Sequence, residues 1–240
     1  MYRIKNSSEL ASYIEYANLN NLATKEEMKE FLENAKKFDF YGITINPSFI
    51  KLAKEELKDT NLKISTVISF PLGFDLTKSK IEQAKIAVDE GADEIGTVIN
   101  ISQVKNSEYE ALENEIRAIK EVIGEKVLKV IIESKALHDN EIVKVSQASE
   151  RAGADYIETS TGFVSPNTIY EDVNVINLIQ KYAPKTKIKL TGGVRLYKIA
   201  NQLLTAGADL IGSNEGYQIV DDYRNLRENT KVTPKPIKFD

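Results

Sequence analysis

The tripeptide Gly-Ala-Asp occurs three times in this chain, at 91–93, 153–155 and 207–209. Each copy follows a segment with helical spacing of apolar residues and precedes a short apolar run. In KSKIEQAKIAVDEGAD, Ile81, Ala84, Ala87 and Val88 fall on one helix face. The glycine then stands where a helix ends in a left-handed residue, a conformation that costs glycine little. The runs that follow, EIGTVINI, YIETSTGF and LIGSNEG, lack strict alternation and suit strands buried on both faces of a parallel sheet. The recurring unit is helix, tight turn, strand.

Extending that unit along the chain predicts eight strands, at about 13–17, 40–45, 62–68, 94–99, 127–132, 156–160, 187–191 and 209–213. Helices fill the gaps. Thr24 with Glu27 spells a capping box for a helix running through Lys37, and Ser107 with Glu110 spells another for a helix that stops at Gly124. Eight alternating units in 240 residues match a (β/α)8 TIM barrel, in the α/β class. The rival, an open doubly wound sheet, usually has fewer strands, and its dinucleotide-binding form needs a glycine-rich loop after the first strand. Gly42 is the first glycine in the chain, so that loop is missing. No linker or composition shift divides the sequence, and a single domain over 1–240 is expected, with 231–240 (KVTPKPIKFD) as a polar surface tail.

Composition narrows the chemistry. The chain has no cysteine, which removes disulfides, thiolate metal sites and cysteine nucleophiles. Its single histidine, His138, rules out a zinc site built on several imidazoles, and no metal or cofactor is expected. A net charge of −4 gives no electrostatic case for nucleic acid. No run approaches the ~18 apolar residues of a membrane span, and MYRIKNSSELASY has no apolar signal core, so a cytoplasmic protein is expected. Lysines, carboxylates and backbone anion sites remain.

In a (β/α)8 barrel the chemistry sits at the C-terminal ends of the strands, and phosphate often binds the loops after the seventh and eighth. Here those loops are Thr191-Gly192-Gly193-Val194-Arg195 and Gly212-Ser213-Asn214-Glu215-Gly216. Paired glycines let backbone N–H groups approach an anion. They equally serve to turn the chain into the next helix.

Five stretches carry a family resemblance: TVISFPLG at 66–73, GADEIGTVINI at 91–101, LKVIIES at 128–134, GADYIETSTGF at 153–163 and KLTGGVRLYKIANQLLTAGADLIGSNEG at 189–216. INPSFI at 45–50 and ATKEEMKEFLENAKKF at 23–38 fit as well. In this order and spacing, from about residue 10 to 220, the sequence resembles deoxyribose-phosphate aldolases. The resemblance implies a (β/α)8 barrel that cleaves 2-deoxyribose 5-phosphate to acetaldehyde and glyceraldehyde 3-phosphate through a lysine Schiff base, without a metal. It implies a small-molecule substrate, phosphorylated or not, and association into a homo-oligomer.

Carried over residue by residue, the resemblance breaks at the centre. The family's Schiff-base lysine directly precedes Thr-Ser-Thr-Gly on the sixth strand, and Glu158 stands there. The family's fourth-strand aspartate corresponds to Gly96. Lys189, before the Gly-Gly motif, and Lys129, on the fifth strand, are retained. Glu15, Tyr16 and Ala17 replace the family's Asp-His-Thr, and Asn214 and Glu215 replace the small serines of the eighth-strand loop. Thr159, Ser160, Thr161, Gly162 and Phe163 are kept, as are Gly192 and Gly193, which speaks for a surviving pocket.

These departures change the chemistry. A Schiff-base lysine must be neutral near pH 7, about 3 units below its ordinary pKa. A carboxylate at 158 acts the other way, because adjacent strands lie ~4.8 Å apart and Glu158 can pair with Lys189 across the mouth. Glu215 beside the phosphate loop would repel a dianion unless Arg195 or a lysine compensates. Three readings stand. In the first, the chain remains a carbon–carbon lyase or enolate-forming enzyme, with Glu158 as base, Lys189 stabilising the enolate, and Lys129 or Lys135 as displaced amines. The second is an inactive barrel that binds a small ligand or a protein partner. In the third, aldolase activity persists through Lys189. The candidate site is therefore Glu158, Lys189 and Lys129 for catalysis, and Thr161, Gly162, Gly192, Gly193, Gly212, Ser213 and Asn214 for substrate or phosphate. Lys135 and His138 also read as plain surface residues, with a proton relay as the alternative for His138; Glu133 reads equally as a residue lining the mouth or as a hydrogen-bonding brace for the next loop, and Asn46-Pro47 as a turn whose asparagine could reach a ligand.

Overall fold

Gly91, Gly153 and Gly207 each close a helix with positive φ, at 112°, 88° and 115°. A strand begins three residues later in every case, so the Gly-Ala-Asp repeat builds the unit it predicts. The computed structural model describes residues 4–164 and 168–228. Its strands are β1 (Ile14–Asn18), β2 (Gly42–Ile45), β3 (Lys63–Ile68), β4 (Glu94–Val98), β5 (Val127–Ile131), β6 (Tyr156–Glu158), β7 (Lys187–Leu190) and β8 (Leu210–Ser213). All pair in parallel with their sequence neighbours, and β8 pairs with β1 to close a (β/α)8 barrel. The eight expected strands are all present.

The aspartate of each repeat explains why the motif ends as it does. The N–H of Asp93 donates to the carbonyl of Ile64 at 2.7 Å, and the carboxylate of Asp93 accepts from the N–H of Ile64 at 3.1 Å. Asp155 makes the same two bonds with Leu128, at 3.0 and 2.8 Å, and Asp209 with Ile188, at 2.9 and 2.8 Å. Each aspartate thus ties the start of an even-numbered strand to the odd-numbered strand before it, at the end of the barrel away from the mouth.

Thr24 and Glu27 form the expected capping box on the helix Lys25–Ala35. The one expected from Ser107 and Glu110 does not form. Ser107 takes a φ of 60° and its N–H donates to Val104, closing the short helix Ile101–Lys105; Glu108 then stands at the N-cap of the helix Tyr109–Ile123 with no side-chain bond. That helix does stop at Gly124, which has a φ of 60°. The expected tail at 231–240 lies outside the described residues.

Successive residues of a strand face opposite sides of the sheet. Outward residues such as Ile43, Ile95, Leu128, Ile157 and Ile188 join the helices in the main core, with Met28, Ile116 and Ile119 from the helix side. The inward set is different. Val67, Val98 and Ile131 form a separate small apolar cluster, and the neighbouring inward positions are charged. Among the described residues no helix is long and apolar enough to cross a membrane.

Candidate active site

Five charged side chains, from five different strands, meet inside the barrel. Lys129 on β5 is completely buried and pairs with Glu15 on β1 and, at 2.5 Å, with Glu94 on β4. Lys189 on β7 pairs with the same Glu15 and, at 3.0 Å, with Glu158 on β6. The result is one alternating chain, Glu94–Lys129–Glu15–Lys189–Glu158. Tyr41 caps its lower end, its O–H donating to Glu94 at 2.5 Å, while the Tyr41 and Tyr156 rings flank the Lys129 ammonium.

Three carboxylates share two ammoniums here, in a site without bulk water, so their protonation is not equivalent. Burial pushes the carboxyl of Glu15 up, but Lys129 and Lys189 together outweigh burial and hold it at about 2. Glu15 is the fixed anion of the network. Burial favours a neutral Lys129, yet Glu15, Glu94 and Glu158 overcome burial and raise its pKa, keeping it an ammonium. Glu158 goes the other way: burial raises its pKa above 4.5, helped by the charge on Glu15 and only partly offset by Lys189 and Lys129. A buried carboxyl shifted upward, with a lysine 3.0 Å away, is an arrangement suited to acid–base chemistry.

A cavity of about 550 Å³ opens above this network at the C-terminal mouth, with Glu158 and Lys189 in its wall. Thr161, Gly162, Gly192, Gly193, Gly212, Ser213 and Asn214 line it too, so these sequence candidates come together as expected. Gly212 is required by Lys189: a Cβ at 212 would lie 2.9 Å from Lys189 Cε and 2.4 Å from Thr191 Cγ2. Gly192 and Gly193 have φ of 97° and 80°, which turns the β7 loop across the opening. Thr191 locks that loop to β6, donating to the Ser160 carbonyl at 2.5 Å and accepting from the Ser160 N–H at 3.1 Å. Arg195 lines the cavity and Glu215 does not.

The loop after β6 is held from below by Glu133. This residue is buried, has a φ of 49°, and accepts from Ser160 Oγ at 2.9 Å, Thr161 N–H at 3.2 Å and Thr161 Oγ1 at 2.6 Å. The brace reading of Glu133 therefore holds. Lys129, in contrast, does not line the cavity; it lies within the ion network. Lys135 is exposed and pairs with Glu171 at 2.9 Å, and His138 is exposed at the start of the helix Asp139–Arg151. Asn46 caps a turn through Ser48.

Sequence reasoning missed Glu94 and Tyr41, gave no role to Glu15, and missed Thr44. The Thr44 hydroxyl is buried in the cavity wall on β2 and has no hydrogen-bond partner among the described residues. Strand parity could have found the carboxylates, because a charged residue on the inward side of a short apolar strand has only the barrel interior to face.

The chain is thus a (β/α)8 protein whose mouth carries a lysine, a carboxylate and glycine-rich loops. The chain belongs to the DeoC/LacD family aldolases, whose family model matches residues 8–219. It is 42% identical over 204 residues to a deoxyribose-phosphate aldolase of Mycoplasmoides pirum, covering 85% of this chain and 92% of that one. Among solved structures it resembles the aldolase QR15, with a TM-score of 0.84, 34% identity and coverage of 90% and 97%. A deoxyribose phosphate aldolase from Aeropyrum pernix, described as a unique tetrameric structure, matches with a TM-score of 0.84, 26% identity and coverage of 93% and 94%.

Proposed function

We propose that this aldolase-family barrel performs carbon–carbon lyase or related enolate chemistry on a small sugar or other carbonyl compound without a Schiff base, using Glu158 as acid–base group. The observation that carries this reading is the Glu158–Lys189 pair, 3.0 Å apart in the wall of an open cavity. In the deprotonated state Glu158 takes a proton from the β-hydroxyl of an aldol, or from the carbon next to a carbonyl. The released electron pair moves through the breaking C–C or C–H bond onto the carbonyl oxygen. The Lys189 ammonium, held by Glu15, stabilises that developing oxyanion. Return of the proton from Glu158 to carbon completes the cycle. Lys129 touches no cavity atom and acts as a positioning residue, fixing Glu15.

The same pairing supports a second reading, a ligand-binding barrel without turnover. Neither Lys129 nor Lys189 is free of a carboxylate, and an amine so paired is a poor nucleophile. By analogy with the tetrameric relative we also propose a homo-oligomer, tested by light scattering during size-exclusion chromatography.

Deuterium exchange followed by proton NMR separates the two readings. Phosphorylated and unphosphorylated aldehydes, ketones and aldols are incubated with the protein in D2O. Enzyme-dependent exchange or cleavage that is lost in Glu158→Gln supports the enolate reading. Binding without exchange supports the inert barrel. A stable mass increment on Lys189 after borohydride trapping with acetaldehyde would overturn both, in favour of Schiff-base catalysis.

A further inference from the structure

Among the described residues the charge at the mouth gathers on one side, at Glu158, Lys189 and Arg195. A second cavity of about 480 Å³ opens beside the first and shares Leu19, Asn21 and Phe163 with it. Among the described residues no charged one lines this second space. Its floor and walls include Val67, Phe70 and Pro71 from β3 and its loop. Several of its polar groups are already satisfied locally: Asn46 Oδ1 accepts from Ser48 N–H at 3.1 Å and Ser48 Oγ at 2.6 Å, and Gln83 Oε1 accepts from Ser69 N–H at 2.8 Å. The surface offered to a ligand there is mainly aliphatic and aromatic.

Three further features point the same way. Phe70 and Phe163 meet edge to face with centroids 5.3 Å apart, so the β3 loop and the β6 loop join in one aromatic wall between the cavities. Phe163 nevertheless keeps 56% of its surface exposed, which leaves apolar area uncovered at the junction. On β4 the inward position is Gly96, where a Cβ would sit 3.4 Å from Val67 Cγ1 and from Ile131 Cδ1. Above Glu94, which the ion network occupies, β4 thus presents only Gly96 and Val98 to the interior, and the side chains nearest Gly96 are aliphatic. Thr44, with its unpartnered buried hydroxyl, lines the first cavity on the strand whose following loop, 46–48, lines the second.

We infer that the site takes an amphipathic carbonyl compound that bridges both cavities. Its oxygenated head lies on Glu158 and Lys189, and an alkyl or aryl tail lies over Val67, Phe70 and Phe163. The inference rests on the reading of Glu158 and Lys189 as the head-binding pair, and it adds the class of substrate.

The test is a series of ketones with a constant head and a growing tail: 2-butanone, 2-heptanone and 4-phenyl-2-butanone. Affinity is measured by saturation-transfer NMR titration against the wild type, Phe163→Ser and Phe70→Ala. The wild type should bind 4-phenyl-2-butanone about tenfold tighter than 2-butanone, the gain from burying about 55 Å² of apolar surface. Phe163→Ser should abolish that preference, bringing the ratio of the two affinities close to one; because Phe163 is half exposed, this variant keeps the fold even if Phe70→Ala does not. Equal affinity for all three ketones, or a preference that survives Phe163→Ser, would overturn the inference. The two readings fail separately. Tail preference without deuterium exchange removes the enolate chemistry and keeps the bridging ligand, whereas exchange without tail preference does the reverse.

Discussion

Glu15→Gln is the substitution that most directly tests the ion network. Glu15 is completely buried, and its two ammonium partners hold its carboxyl at about 2 instead of 4.5. A native-state depression of that size is worth about 3 kcal/mol, at ~1.4 kcal/mol per pH unit. Because the folded-state pKa is the lower one, this stability is fully present above pH 4.5 and is lost as pH falls toward 2. Removing one member of a buried ion pair costs about 3–5 kcal/mol by general experience, which agrees. In Glu15→Gln the amide still fills the space, but Lys129 keeps only Glu94 and Lys189 only Glu158 as carboxylate partners. The expected result at pH 7 is a loss of about 3 kcal/mol by urea denaturation, or roughly 6–12 °C in melting temperature. The acid limb between pH 4.5 and 2 should flatten. Activity should respond in a separate way. Losing the Glu15 charge and gaining an undivided Lys189 both favour ionised Glu158, so the acidic limb of the pH–rate profile moves to lower pH. A variant within ~1 kcal/mol of wild type, with its acid limb unchanged, would refute the account of the network.

Glu133→Gln weakens three hydrogen bonds to the β6 loop and should cost about 2–3 kcal/mol, with faster amide exchange at Thr161 and Gly162; unchanged exchange there would count against the brace. Thr44→Val removes a buried hydroxyl that has no partner, so thermal melts should show stability equal to wild type or higher by up to ~1 kcal/mol. Glu158→Lys places a second ammonium against Lys189, and like-charge repulsion lowers an amine pKa. Borohydride with acetaldehyde should then label position 158 by peptide mass, and a failure to label would show that the rest of the site no longer supports amine catalysis.

The barrel was legible because its signals are local and repeated. Gly91, Gly153 and Gly207 mark helix ends by a backbone requirement that no other residue meets as cheaply, and the strands begin where they say. Ser107 misled for an equally local reason: with a φ of 60° it lacks the extended backbone of an N-cap, and the helix begins with Glu108 in that position instead. The site was half legible. Glu158 and Lys189 stand opposite each other in strand register, so spacing alone brings them together. Glu15 and Glu94 could not be placed in this way, because their contacts with Lys129 reach across the barrel or depend on which face of the strand points in. Thr44 escaped notice because its significance is a missing partner, a property of three-dimensional packing.

The aspartate ties at Asp93, Asp155 and Asp209 divide the barrel in a particular way. By paired backbone bonds each joins β3 to β4, β5 to β6 or β7 to β8; across the seams Asp93 also reaches Lys126 at 3.4 Å and the Asp155 carbonyl accepts from the Lys187 N–H at 3.1 Å, but neither makes the double tie there. The chain is thereby organised as cassettes of two strands, each carrying its own internal fastener. A family member could exchange one cassette with another by recombination at those seams, importing a new pair of mouth loops with their strand alignment already fixed. The β7–β8 cassette would bring Lys189 and both glycine loops with it, while the β5–β6 cassette would bring Glu133 together with the loop it braces. Chimeras cut at the seams should fold more often than chimeras cut inside a cassette, and they offer a direct way to graft one relative's mouth onto another's base.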